Sequence, residues 1–285
     1  MTTVLHDLAQ LRDTVRGWAR AGERIAFVPT MGNLHAGHFS LVRQARERAD
    51  RVVASVFVNP TQFGPNEDFA RYPRTPEQDV AGLRDAGCDV LWMPDVETMY
   101  PFGASNAVQV RVPGVTDVLE GAHRPGHFDG VATVVARLFL QVQPDVAVFG
   151  RKDYQQLAVI RYMAREMSFP VEIVAATTVR ETDGLAMSSR NQYLSQDERP
   201  RAVEIHRVLQ AMREATIAMR ERGDVEAEAT KQLADLGFDV DYAVVRRRDL
   251  IEPTSDDTAL VALIAARLGR TRLIDNLEFE RPSAA

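Results

Sequence analysis

"RIAFVPTMGNLHAGHFSLVRQARERADRVVASVFV" (residues 24–58) carries the pattern that decides the fold. It opens with a short apolar run, residues 24–29, that ends in a glycine-containing turn, as a strand does. After the turn a helix places Leu41, Val42, Ala45 and Ala49 along one face, with Arg43, Arg46, Glu47 and Asp50 elsewhere. The run 52–58 is apolar on both faces, which is expected of a strand in a parallel sheet covered on both sides by helices. The stretch is one strand–helix–strand unit.

The alternation extends in both directions. Residues 1–20 have Leu5, Leu8, Leu11, Val15 and Trp18 at helical spacing, which predicts an amphipathic helix. Residues 75–87 predict a helix with Thr75 as N-cap, Pro76 at its first position and Gly87 as its stop. Strands are expected at 89–94, 145–150 and 171–176, and helices at 130–142 and 153–167. Repeated units of this kind give an α/β fold, a Rossmann-like doubly wound parallel sheet that binds ligands at the carboxyl ends of its strands. After residue 184 the texture changes. Residues 195–223 and 224–237 read as two helices, and 238–245, 258–266 and 271–279 as strands, a smaller C-terminal α+β domain. The expected division is therefore 1–184 and 185–285, with a hinge near 184 and a loose tail at 281–285.

Bulk properties exclude some functions. A formal net charge of -6 over 285 residues argues against a broad basic face for nucleic acid, though not against a local anion pocket. The single cysteine, Cys88, permits no intrachain disulfide and reads as a buried thiol at a strand edge. No window supplies the ~18 apolar residues of a membrane span, and residues 1–20 lack the apolar core of a signal peptide. A cytoplasmic enzyme or binding protein is the expectation.

His35 and His38 stand at the join of strand and helix in the central stretch. Three readings are open. As metal ligands they supply two of the three or four that zinc needs, and no zinc motif completes the set. As caps they only end a helix. As a phosphate cradle they use the unpaired N–H groups and positive partial charge of a helix N-terminus. Gly32 and Gly37 permit close approach of a ligand to the main chain, and histidine donates hydrogen bonds to phosphate oxygens. Protonated, it also neutralises charge on a leaving pyrophosphate. The lysine-containing P-loop pattern is absent.

"PTMGNLHAGH" (29–38) resembles the H-x-G-H phosphate motif of the nucleotidyltransferase superfamily. "FVNPTQFGPNEDFARYPRTPEQD" (57–79), "EGAHRPGHFDGVATVVARLF" (120–139), "PDVAVFGRKDYQQL" (144–157) and "TVRETDGLAMSSRNQYLS" (178–195) resemble, in order, the pantothenate synthetase (pantoate–β-alanine ligase) family within it. The resemblance implies an AMP-forming ligase. Pantoate carboxylate attacks the α-phosphate of ATP, and β-alanine then displaces AMP from the pantoyl adenylate. It implies a homodimer, magnesium brought with ATP, and no nucleic-acid or membrane partner.

By the same resemblance, Met31, Gly32, Asn33, Leu34, His35, Ala36, Gly37 and His38 surround ATP, with His38 as proton donor. Gly150, Arg151, Lys152, Asp153, Val179, Met187, Ser188, Ser189 and Arg190 complete the nucleotide site. His35, His38, Lys152 and Arg190 form the catalytic set. Gln62 and Gln156 bind pantoate, and Gln62 with Asn59 borders β-alanine. "AMSSRN" (186–191) is similar to the superfamily's K-M-S-K-S loop without its lysines, which leaves the charge to Arg190 and Lys152. Position 151, commonly Glu in the family, is Arg here. Asp79 is expected to meet magnesium indirectly, beside Gln78 where the family has a second acid. Arg124 and His127 either reach the substrate pocket or close a loop, and the metal ligands stay unknown. Two other readings remain open: an adenylyltransferase acting on a phosphorylated cofactor precursor, and a nucleotide-binding regulator without turnover.

Overall fold

The computed structural model describes residues 2–64 and 69–283. Residues 65–68 of the 57–79 motif and the last two residues of the expected tail lie outside the described residues. In chain order the elements are β1 (Thr3–Leu5), α1 (Leu8–Arg20), β2 (Ile25–Thr30), α2 (Ala36–Arg46), β3 (Arg51–Val56), α3 (Pro76–Asp85), β4 (Val90–Trp92), α4 (Val96–Met99) and α5 (Glu120–His123). Then follow α6 (His127–Val142), β5 (Val146–Gly150), α7 (Tyr154–Glu166), β6 (Glu172–Ala176), α8 (Glu198–Arg201), α9 (Glu204–Ile217), α10 (Arg222–Asp235), β7 (Phe238–Arg247), β8 (Ala259–Leu268) and β9 (Thr271–Glu280).

Two compact units result. The first comprises 1–151 and 155–177, the second 152–154 and 178–285. The first holds a sheet in the order β1-β4-β3-β2-β5-β6, with every neighbouring pair parallel. β2 has β3 on one side and β5 on the other, so the connections leaving the carboxyl ends of β2 and β5 run to opposite sides. That divergence is the switch point at which doubly wound sheets bind ligands.

The period-2 alternation of the strands divides the core. Ile25 and Phe27 of β2, with Ala147 and Phe149 of β5, pack in one apolar cluster with α1 and α6. Ala26 and Val28, with Val146 and Val148, face the opposite cluster beside Val42, Ala45 and Leu83. Phe27 is fully buried, a contribution of about 1.5–3 kcal/mol.

Three expected elements shift. The N-terminal helix starts only at Leu8, where Asp7 caps it by accepting from Gln10 N at 2.8 Å. Residues 3–5 instead pair with β4 as an edge strand, too short to show a period of its own. The long helix expected at 195–223 is split: Pro200 is tolerated in the first turn of α8, and the chain restarts in α9. Met219, at φ 59, closes that segment, and α10 begins at Arg222 under a Glu221 cap. In the second unit β7, β8 and β9 form an antiparallel sheet, whose apolar face packs with α9 and α10 around Leu209, Leu233 and Ile264.

Candidate active site

The turn after β2 passes through two left-handed residues, Gly32 (φ 84) and Asn33 (φ 51). A Cβ on Gly32 would lie 3.0 Å from Val56 Cγ1 and 3.1 Å from Asp79 Oδ2, so conformation and space both demand glycine. His35 is the N-cap of α2, and its Nδ1 accepts from Gly37 N at 3.1 Å. His38 reaches back so that its Nδ1 accepts from His35 N at 3.3 Å. The pair forms a capping box in which imidazoles do the work usually done by Ser and Glu. A ring that accepts at Nδ1 carries its proton on Nε2. The two rings, 4.2 Å apart between centroids, therefore have Nε2–H as their donor groups.

Asp79, on the first turn of α3, is buried and commits both oxygens to this turn. Oδ2 accepts from Asn33 N at 3.0 Å, while Oδ1 accepts from Leu34 N at 2.8 Å and from Thr75 Oγ1 at 3.0 Å. Two of the main-chain amides expected to surround a nucleotide are thus engaged by the protein's own carboxylate.

The second group lies beyond β3. Asn59 caps the short helical turn Pro60–Gln62 and is fully buried. Its Nδ2 donates to Gln62 Oε1 at 2.9 Å and to Gly130 O at 3.2 Å. Its Oδ1 accepts from Tyr100 OH at 2.7 Å and from Thr61 N at 3.3 Å. Burial holds the Tyr100 phenol above its ordinary pKa, so it stays a donor. Engaged at both ends, Asn59 stands as a support for Gln62, whose Oε1 the contact occupies.

Arg124 and His127, left open by the sequence, hold the main chain of the same residue. His127 Nδ1 donates to Gln62 O at 2.8 Å, and its Nε2 accepts from Arg124 Nη1 at 3.1 Å. Arg124 Nη2 donates to Gln62 O at 3.4 Å. These residues line a cavity of roughly 650 Å3 with Thr61, Phe63 and Asp129. Of the two glutamines that open α7, Gln155 is the structural one: it donates to Val115 O and Val118 O, both at 2.7 Å, and accepts from Glu120 N at 3.0 Å. Gln156 is half-buried.

Gly150 ends β5, and Arg151 N continues the pairing with β6 by donating to Ala176 O at 2.8 Å. In the second unit Lys152 Nζ lies 3.6 Å from Asp153 Oδ1, and Lys152 O accepts from Asn276 Nδ2 at 2.8 Å. Tyr154 OH donates to Glu278 Oε1 at 2.9 Å. β9 therefore grips the segment 152–154. Val179 O accepts from Met187 N at 2.9 Å, which turns 179–187 back on itself. Ser188 caps the helical turn Ser189–Tyr193, its Oγ accepting from Arg190 N at 3.3 Å. Arg180 pairs with buried Asp275 at 2.6 and 3.0 Å. The sequence reading missed Tyr100, Asn276 and Asp275. The only signal for the last two was a polar Asp-Asn pair within an apolar strand.

The model for the family "Pantoate-beta-alanine ligase" matches residues 3–278. A protein of Stenotrophomonas maltophilia (strain K279a) named pantothenate synthetase is 65% identical over 279 residues, 98% of this chain and 100% of that one. The crystal structure of pantothenate synthetase from Thermus thermophilus is similar at a TM-score of 0.89 and 49% identity, covering 96% of this chain and 98% of that one. Pantoate-beta-alanine ligase from Francisella tularensis, solved in complex with beta-gamma ATP and beta-alanine, is similar at a TM-score of 0.82 and 31% identity, covering 97% of each chain.

Proposed function

Since the chain belongs to the pantoate–β-alanine ligase family, we propose that it joins pantoate to β-alanine with ATP through a pantoyl adenylate, releasing AMP and pyrophosphate. In the first step a pantoate carboxylate oxygen bonds to the α-phosphorus and pyrophosphate leaves. In the second the β-alanine amine bonds to the acyl carbon, AMP leaves, and the nitrogen loses a proton. The adenylyltransferase alternative is not favoured, because the ligase family spans residues 3–278.

The observation that carries the mechanism is the double-histidine cap at the switch point of the sheet. Negative charge gathers on the departing pyrophosphate, so preoriented donors aimed there should dominate catalysis. We assign that part to the Nε2–H groups of His35 and His38, with Lys152, Ser188, Ser189 and Arg190 as further phosphate ligands. Gly150, Asp153, Val179 and Met187 are assigned to the adenosine, Gln62 and Gln156 to pantoate, and Gln62 to β-alanine. Magnesium would travel on the phosphates of ATP and neutralise their charge. Among the described residues no three His, Cys, Asp or Glu side chains gather into a ligand set for it. A homodimer is proposed as well, with exposed Phe102 and Val108 as apolar surface it would cover, and light scattering tests it. No helix among the described residues is long and apolar enough to cross a membrane. A cytoplasmic location is proposed, testable by cell fractionation.

Purified protein given ATP, pantoate and β-alanine should form pantothenate, AMP and pyrophosphate in equal amounts. With β-alanine omitted, pantoate-dependent exchange of pyrophosphate into ATP should persist. ADP as product, or no turnover, overturns the reading.

A further inference from the structure

The amides of Asn33 and Leu34 converge on one carboxylate, in a turn where Gly32 and Asn33 are both left-handed. Successive N–H groups arranged in this way form a nest that binds anions. At a phosphate-binding turn the expected occupant is the ligand. Here the occupant is Asp79, brought from a helix 45 residues further along the chain and bonded at 3.0 and 2.8 Å. Its own amide is fixed to Thr75 O at 2.9 Å, and Thr75 Oγ1 supplies a third donor. Only 2% of Asp79 is exposed, so water does not compete for these bonds.

The nest leads directly to the histidines. Leu34 precedes His35, whose N–H is the donor to His38 Nδ1. A carboxylate that pins the amides of residues 33 and 34 therefore holds the two peptides immediately before the one whose N–H meets the second imidazole. It also keeps the nest from taking a phosphate oxygen, since a second anion would meet Asp79 at contact distance. The phosphates are left to the imidazole level.

We propose that Asp79 is a positioning residue, an internal anion that fills the amide nest of the turn and sets His35 and His38 in register before ATP arrives. This is distinct from the contact with magnesium expected from the sequence. It rests on the reading of the histidine turn as the phosphate site.

The test is pantoate-dependent ATP–pyrophosphate exchange by the full chain, together with hydrogen exchange of the Asn33 and Leu34 amides. Asp79→Ala should lower exchange activity about 10- to 100-fold, as expected when reacting groups drift by an ångström. The loss should appear in kcat and in the KM for ATP, with the KM for pantoate within about twofold of wild type, since misplaced histidines touch phosphate only. Sodium formate, a carboxylate small enough for the vacated space, should restore activity and amide protection, whereas sodium chloride at equal ionic strength should not. Asp79→Asn should show the same loss without rescue, because its amide fills the space and turns a donor toward donors. Thr75→Val, which removes one of three donors, should show a few-fold loss in the same direction, and it decides the matter if Asp79→Ala does not fold. Unchanged activity in Asp79→Ala, a loss that formate leaves untouched, or a KM for pantoate rising in step would overturn the proposal. If wild type itself gives no pantoate-dependent exchange, the functional reading fails instead, and amide protection with its recovery in formate still reports on the nest.

Discussion

Asn59 donates from Nδ2 to Gln62 Oε1 at 2.9 Å while its Oδ1 accepts from Tyr100 OH at 2.7 Å. The phenol fixes which way the Asn59 amide faces, and that amide fixes which way Gln62 faces. Tyr100→Phe removes one buried hydrogen bond, about 1 kcal/mol. It should raise the KM for pantoate roughly fivefold, by the usual conversion of energy to affinity, and leave the KM for ATP alone. Asn59→Asp should cost more, because it sets a carboxylate oxygen against Gln62 Oε1 and forces that amide to flip. Steady-state kinetics with each substrate varied in turn would check both.

Gly130→Ala tests the wall behind Gln62. The added Cβ would lie 2.3 Å from Thr61 O and 3.0 Å from Gln62 N, main-chain atoms that cannot swing aside. The expected outcome is a loss of about 1–3 kcal/mol of stability together with weaker pantoate binding. Gly17→Ala, in α1 with nothing within 4 Å of the new atom, should stabilise by about 0.5–1 kcal/mol. Denaturant melts of the two variants should move in opposite directions.

Asn276→Ala should act through Lys152, whose carbonyl it holds at 2.8 Å. If the bond serves to place that lysine, adenylate formation falls in Asn276→Ala and in Lys152→Ala, and the double variant is little worse than Lys152→Ala alone. Additive losses would mean that Asn276 serves only the fold.

Stability should decline on acidification through His206. Burial, with the cations of Arg180 and Arg213, lowers its pKa below the ordinary 6.5, and Asp275 opposes them only in part. The unfolded chain therefore takes up this proton first, so the folded state loses ground as pH falls below 6.5 toward the lower folded value. Above 6.5 this contribution is flat. Urea midpoints should drop from about pH 8 to about pH 5.5 in wild type and less so in His206→Gln.

Burial pushes the Cys88 thiol up to about 12. It should resist iodoacetamide in the native state and react once the chain is unfolded, which mass spectrometry of the labelled protein reads directly.

The doubly wound sheet was legible because residues 24–58 carry two apolar runs and one helical stripe, each long enough to show its period. Residues 3–5 form a strand of the same sheet and gave no signal, because three residues have no period. The histidine turn was legible as a helix start, but its tautomers were not, since they depend on which atom meets which amide. The bonds of Asp79 to the turn were invisible because its partners lie 45 and 46 residues away. Gln155 and Gln156 are alike in sequence, and only the carbonyls of Val115 and Val118 mark the first as structural.

The grip of β9 on residues 152–154 bears on how this chain can be cut. The polypeptide leaves the first unit at Lys152, returns at Gln155 and departs again at Thr178. A fragment ending at residue 177 would retain Lys152 but lack Asn276 and Glu278, the side chains that seat its segment. The units are stitched rather than joined by one linker. Exchanging the C-terminal part between homologues would have to carry three residues from the middle of the chain along with it.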